Sequence, residues 1–269
     1  MKYRIPVEIF GIRPIAFYLL LSVALLSAQG CVPEPCCATP PTYPGEDTGY
    51  QPPDTGYQPP QGRLLNIPPI AQQTGVWCWA ATAEMVFRYY GLPNVNPDYQ
   101  CGIVSLYYGS NTPCWGDCYV CQSGIASMSE MQKLVNLYGV FANNLTPSPL
   151  LTPSPVLGST LIFSALTFSD AAQEIDSGRP IIAGISANGY SYPNISQHAI
   201  LIVGYVNDGS GQTIIVDDPF PYNSFPTQPN PYFAVGATSS QPGRFEVSYL
   251  KLVTQLQWGN TLYGIDRIQ

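Results

Sequence analysis

A chain of 269 residues has room for one domain of ordinary size plus extensions. Only 10% of its residues are charged and the formal net charge is −7, which excludes nucleic acid and anionic membrane surfaces as natural electrostatic partners. Pro, Tyr, Gly and small polar residues are plentiful, and 8 cysteines make the redox compartment a central question.

Residues 1–30 read as an export signal. Lys2, Arg4 and Arg13 form a basic start, and residues 15–26 an apolar run too short for a comfortable membrane span. The run ends in Ser27, Ala28, Gln29 and Gly30, followed at once by Cys31. This resembles the bacterial lipobox, in which the cysteine is lipidated and becomes the mature N-terminus; Ala28 stands where Leu is usual. Val32 rather than Asp follows, so resemblance to Gram-negative sorting implies the outer membrane, with a periplasmic or cell-surface domain. Cleavage before Cys31 without lipid, giving a secreted protein, is the alternative.

Residues 31–62 are dominated by Pro, Thr, Gly and Tyr and contain DTGYQPP twice, at 47–53 and 54–60. Such a segment lacks the apolar content for a core and favours extended polyproline-type chain. A stalk is the expected role, ahead of a recognition motif or a prodomain. The sequence leaves the pairing of Cys36 and Cys37 open.

The globular domain is expected over residues 63–269. Residues 64–70 lead into a polar turn, Gln72, Gln73, Thr74 and Gly75. Cys78 then falls where a run of helix formers begins, and Gly91 with Pro93 closes that helix. A thiol at a helix N-terminus faces unpaired backbone N–H groups and the positive end of the macrodipole, which favour its anion and make a usable nucleophile. A small core residue is the competing role for Cys78. The helix is apolar on nearly every side, so it belongs in a core; Glu84 and Arg88 mark its one wetter edge.

Residues 95–124 read as loop-rich and hold Cys101, Cys114, Cys118 and Cys121. Their C-x12-C-x3-C-x2-C spacing could bind Zn²⁺, but export favours two disulfides, with three connectivities possible. Pairing all four leaves Cys78 as the unpaired thiol of the domain. An amphipathic helix is expected from Met128 to Tyr138, stopped by Gly139, and then a Leu-Thr-Pro-Ser-Pro duplication over residues 145–156 that cannot be helical. Residues 169–177 read as a short helix closed by Gly178 and Pro180. After it the pattern turns to β at 181–185, 198–206, 213–216, 232–235, 244–249 and 261–268. Helices first and strands later predict an α+β fold with a mainly antiparallel sheet.

His198 is the single histidine of the chain and starts an apolar strand. A histidine there can be a structural hydrogen-bonder, but an imidazole in reach of Cys78 could take its proton and hold the ion pair. A third group is then needed to orient the ring. Asp217 and Asp218 end the next strand, and a hairpin through residues 207–212 brings that end beside His198.

These residues together resemble the papain-like cysteine peptidase superfamily. Gln72 followed six residues later by Cys78 and Trp79 matches Q-x5-C-W. His198, Ala199 and Ile200 with the apolar run to Gly204 and Tyr205, then Asp218 and Pro219, resemble its bacterial branch, which includes double-glycine-leader peptidases and some secreted effector proteases. Residues 174–184 look like the segment that this branch places before its histidine, and the resemblance covers about residues 64–268. It implies a nucleophile helix packed on a mainly antiparallel sheet, with Cys78 as nucleophile, His198 as base and acid, Asp218 orienting it and Gln72 donating to the oxyanion. Asp217 competes for the third role and Gln73 for the oxyanion role. The implied enzyme hydrolyses peptide bonds in proteins or peptides through an acyl-enzyme, without metal or organic cofactor, as a monomer. A cell-wall amidase of Cys-His type and a non-catalytic binding module are the alternatives, and an amine could replace water as acceptor.

Overall fold

The computed structural model describes residues 61–145, 154–187, 197–209, 211–224 and 229–268. The chain divides into units at residues 1–50 and 51–269, and every described residue lies in the second. The export signal, Cys31, Cys36 and Cys37, the DTGYQPP repeat and most of the Thr-Pro-Ser-Pro duplication lie outside the described residues.

The domain is α+β. Its first half carries α1 (Cys78–Tyr89), α2 (Tyr99–Tyr108) and α3 (Met128–Leu145), with a short strand β1 (Gly62–Leu64) ahead of them. Then follow β2 (Leu157–Ile162), α4 (Phe168–Asp176), β3 (Ile181–Ile185), β4 (His198–Asp208) and β5 (Gly211–Asp217). The chain closes with α5 (Pro231–Ala234), β6 (Thr238–Gln241), β7 (Arg244–Ser248), α6 (Tyr249–Thr254) and β8 (Asn260–Arg267). All strand pairs are antiparallel, in the order β2-β8-β3-β4-β5-β7-β6, with β1 added alongside β4. β1 lies so close to β4 that a Cβ on Gly204 would sit 2.6 Å from the Arg63 carbonyl oxygen.

α1 is buried along most of its length, with Trp79, Met85 and Phe87, and Trp77 just before it, sealed in the core. The Thr82 hydroxyl donates to the Ala199 carbonyl at 3.2 Å, pinning the helix to the strand that begins with His198. Gly91, at φ +74°, takes the left-handed position that ends the helix, as its sequence position predicts.

Several expectations are corrected. Residues 95–124 are not all loop: Asp98 caps α2 by accepting from the Cys101 N–H, and the helix runs for 10 residues. Gly139 does not stop α3, which continues to Leu145; the glycine instead admits the Pro155 carbonyl, 2.1 Å from where a Cβ would be. Residues 232–235 are not a strand. Asn230 caps them, accepting from the Tyr232 N–H at 2.9 Å, and Pro231 at the first helical position favours a helical turn. The last expected strand but one ends at Ser248, where α6 takes over. β1, β2 and β6 are short or carry little hydrophobic alternation, and the sequence pattern gives no sign of them.

Candidate active site

Each member of the site is delivered by an element end. Cys78 is the first residue of α1, so its backbone N–H has no acceptor one turn back. His198 is the first residue of β4, paired with Ile185 of β3. Asp217 ends β5 opposite Leu201, which puts Asp218 beside the start of β4 as the hairpin argument requires.

The His198 Nε2 and Asp218 Oδ1 are 2.6 Å apart, and both side chains are sealed from solvent. The Cys78 sulfur is the other group that acts on the same ring. With Nε2 occupied by Asp218, the ring presents its Nδ1 edge to the thiol. Burial alone would push the His198 pKa down. The Asp218 carboxylate and the Cys78 sulfur outweigh it and raise the pKa from 6.5 to about 10. Asp218 is itself held: Oδ1 accepts from the Phe220 N–H at 2.8 Å and Oδ2 from the Tyr222 hydroxyl at 3.0 Å.

Asp217 faces elsewhere. Its carboxylate takes two bonds from Arg244, Nε at 2.7 Å and Nη2 at 2.8 Å, while Arg244 also donates to the Ile67 carbonyl. Successive residues at a strand end point to opposite sides, so only one of the two aspartates can meet His198.

Gln72 is buried in the turn before Cys78. Its N–H donates to the Pro219 carbonyl at 2.8 Å and its Nε2 to the Thr74 carbonyl at 2.7 Å. The Gln73 side chain turns outward, with Nε2 on Asp98 at 2.9 Å and Oε1 accepting from Tyr119 at 3.2 Å. Gln73 is therefore committed to the loop surface.

The cysteine-rich segment closes as two disulfides, Cys101–Cys118 and Cys114–Cys121, and Cys78 is the free cysteine among the described residues. The thiols that zinc would need are consumed by these bridges. The segment is docked against the nucleophile helix by two indoles. Trp77 Nε1 donates to the Cys121 carbonyl and Trp79 Nε1 to the Ser123 carbonyl, both at 3.1 Å. A cleft of about 210 Å³ results, with Cys78, Trp79 and His198 on one side, residues 124–128 on another, and Gly184 and Gln197 nearby. Arg244 and the two docking indoles bond partners 27 and 44 residues away, so their roles leave no local signal, although Trp77 and Trp79 flank Cys78. Tyr222 lies only four residues beyond Asp218, close enough to a recognised residue for the sequence to point to it.

A buried thiol facing an imidazole that is oriented by a carboxylate, at the edge of a cleft, is the constellation of thiol hydrolases. The model of the Peptidase_C39 like family matches residues 64–233, and the chain belongs to that family, of cysteine peptidase kind. No curated protein matches the sequence. Solved structures similar to it include one from a study of the mite allergens Blo t 1 and Der p 1, at 16% identity and a TM-score of 0.46, covering 78% of this chain and 72% of that one. Digestive procathepsin L2 of Tenebrio molitor larval midgut is similar at 15% identity and a TM-score of 0.45, over 76% and 68% of the two chains. A protein described as a C39-like peptidase from Bacillus anthracis is similar at 11% identity and 0.41, over 76% and 98%.

Proposed function

We propose that this protein is an active, exported cysteine peptidase that hydrolyses peptide bonds in protein or peptide substrates, held at a bacterial outer membrane through lipid on Cys31. The observation that carries the chemical part is the position of His198, between the Cys78 thiol and the Asp218 carboxylate 2.6 Å from its Nε2. The two disulfides favour the oxidising compartment that export provides.

The Cys78 thiolate attacks the carbonyl carbon of the scissile bond beside the His198 imidazolium. The oxyanion takes hydrogen bonds from the Cys78 backbone N–H and from the Gln72 amide. That amide nitrogen carries two N–H groups, so one remains beyond its bond to Thr74. Losing a donor of this kind typically costs about 10²–10³ in rate. The imidazolium gives its proton to the departing amine, leaving an acyl group on Cys78. His198 then takes a proton from water, whose oxygen attacks the thioester carbonyl; the C–S bond breaks, the acid is released, and Cys78 leaves as the thiolate beside the imidazolium. Asp218 keeps Nδ1 turned to the sulfur throughout.

The test is labelling of residues 62–269 with an epoxide thiol trap from pH 4 to 9, read by intact mass and peptide mapping, alongside the His198→Ala variant. Stoichiometric labelling at Cys78 well below pH 8 that is lost without His198 supports the reading. Labelling only above about pH 8.5, as for an ordinary thiol, sinks it and leaves a binding module. Release of muropeptides from purified sacculi would redirect the substrate class to the cell wall.

A further inference from the structure

The turn that carries Gln72 is gripped from both sides by one side chain. Gln100, in the first turn of α2, is 1% exposed. Its Nε2 donates to the Ala71 carbonyl at 2.9 Å and its Oε1 accepts from the Gln73 N–H at 3.0 Å. The amide thus bonds the residue before Gln72 and the residue after it, as a neighbouring strand would. The second Nε2 hydrogen reaches Glu84 Oε2 at 3.1 Å, on the helix that begins with Cys78. Glu84 is fixed in turn by Arg88, Nε to Oε1 at 2.7 Å. Both donors and the acceptor of the Gln100 amide are therefore spent on tying the turn to the nucleophile helix.

The other ties on this turn are the Gln73 side-chain bonds to Asp98 and Tyr119 and a long bond from the Trp77 N–H to the Thr74 carbonyl. The Gln72 side chain makes one short-range bond, to Thr74, and its buried Oε1 makes none. Its N–H is tied to Pro219, next to Asp218. The Gln72 amide can sit at a fixed place relative to the sulfur only if the backbone at 71 and 73 is fixed relative to α1. Gln100 and Glu84 supply that link.

We propose that Gln100 is a positioning residue for hydrolysis, acting through Gln72 by clamping the backbone on either side of it. This inference rests on the reading of Gln72 as the oxyanion donor. Donors to an oxyanion act only when held at the right place before charge develops, so loosening the clamp weakens the transition state and leaves the thiolate pair as it was.

The experiment uses Gln100→Met, which keeps length and volume and removes all three hydrogen bonds. A fluorogenic peptide amide, selected from a mixed-sequence library by turnover with the wild-type protein, is the probe. The expected result is a fall in kcat of about tenfold or more with KM nearly unchanged. Alkylation of Cys78 by iodoacetamide forms no oxyanion, so its rate and pH profile stay as in the wild type. In a Gln72→Ala background the same substitution costs nothing further.

An unchanged kcat, equal losses in both backgrounds, or a shifted alkylation profile would overturn the inference. If Gln72→Ala alone leaves kcat intact, the oxyanion role of Gln72 falls and the clamp with it. The Cys78 and His198 reading falls separately, if Cys78→Ala still turns over the probe. Gln100→Asn, which keeps the amide but withdraws it by one methylene, gives the same expected pattern should Gln100→Met fail to fold.

Discussion

Asp217 and Asp218 are neighbours in sequence, both buried, and their carboxylates serve opposite ends: Asp217 closes on Arg244, Asp218 on His198. One pair joins the end of β5 to the start of β7 and to the lead-in chain at Ile67. The other lies behind the cleft, which His198 lines. Two identical side chains one residue apart thus have separate partners, an arginine that ties two strands and the histidine of the candidate site.

That division is measurable with two alanine variants. Asp217→Ala leaves a guanidinium buried without its partner, which typically costs about 3–5 kcal/mol, so the urea midpoint falls while Cys78 labelling per folded molecule is retained. Asp218→Ala removes the group that orients His198, and kcat falls by a factor on the order of 10²–10⁴. Equal losses of activity per folded molecule in both variants would contradict the assignment.

The geometry of the candidate site is more legible in the sequence than the frame around it. Cys78 and His198 announce themselves by type, neighbours and scarcity, and hairpin pairing alone places an aspartate beside His198. Which aspartate was open, because the choice depends on the strand-end facing and on Arg244, which lies 27 residues away. α2 stayed hidden because its start signal, Asp98, lies among turn residues and its cysteines drew the reading toward loop. Gly139 misled for a related reason. A glycine in a helical pattern normally signals an end, but here it answers a backbone brought in from residue 155. Local propensity cannot report a neighbour that tertiary structure supplies.

Gly139→Ala follows from that contact. In an ordinary helix interior this change gains about 1 kcal/mol. Here the new methyl meets the Pro155 carbonyl oxygen at 2.1 Å and its carbon at 3.1 Å, so backbone has to move. Overpacking of this kind costs about 1–3 kcal/mol, and the net expectation is destabilisation. Chemical denaturation with an unchanged m-value would establish it; a stabilised variant would refute the contact.

Removing the Cys114–Cys121 bridge as a double serine variant tests the cleft wall. Cys121 supplies the carbonyl that Trp77 holds, and residues 124–128 follow directly. A native disulfide typically contributes about 2–4 kcal/mol, so the melting temperature falls. The bridge also fixes a wall of the cleft, so KM for peptide substrates rises more than kcat drops. An unchanged KM in a folded variant would detach the segment from substrate binding.

The pH profile follows from His198. Its pKa is raised in the folded protein to about 10, against burial, by Asp218 and by the Cys78 sulfur. The charged ring is thus the favoured form through neutral pH. The stability linked to that charge is fully present below the unfolded value near 6.5 and is lost as pH climbs through about 10. Hydrolysis needs the imidazolium to protonate the leaving amine, so kcat/KM falls along the same alkaline limb. Iodoacetamide alkylation needs only the sulfur anion and does not fall there. Asp218→Ala removes the leading cause that raises the pKa, and the hydrolytic limb moves down toward neutrality. Parallel rates of hydrolysis and alkylation from pH 5 to 11 separate the two requirements. A hydrolytic limb near pH 6.5 in the wild type would mean that burial outweighs the charges, and that the resting pair is the neutral thiol and imidazole.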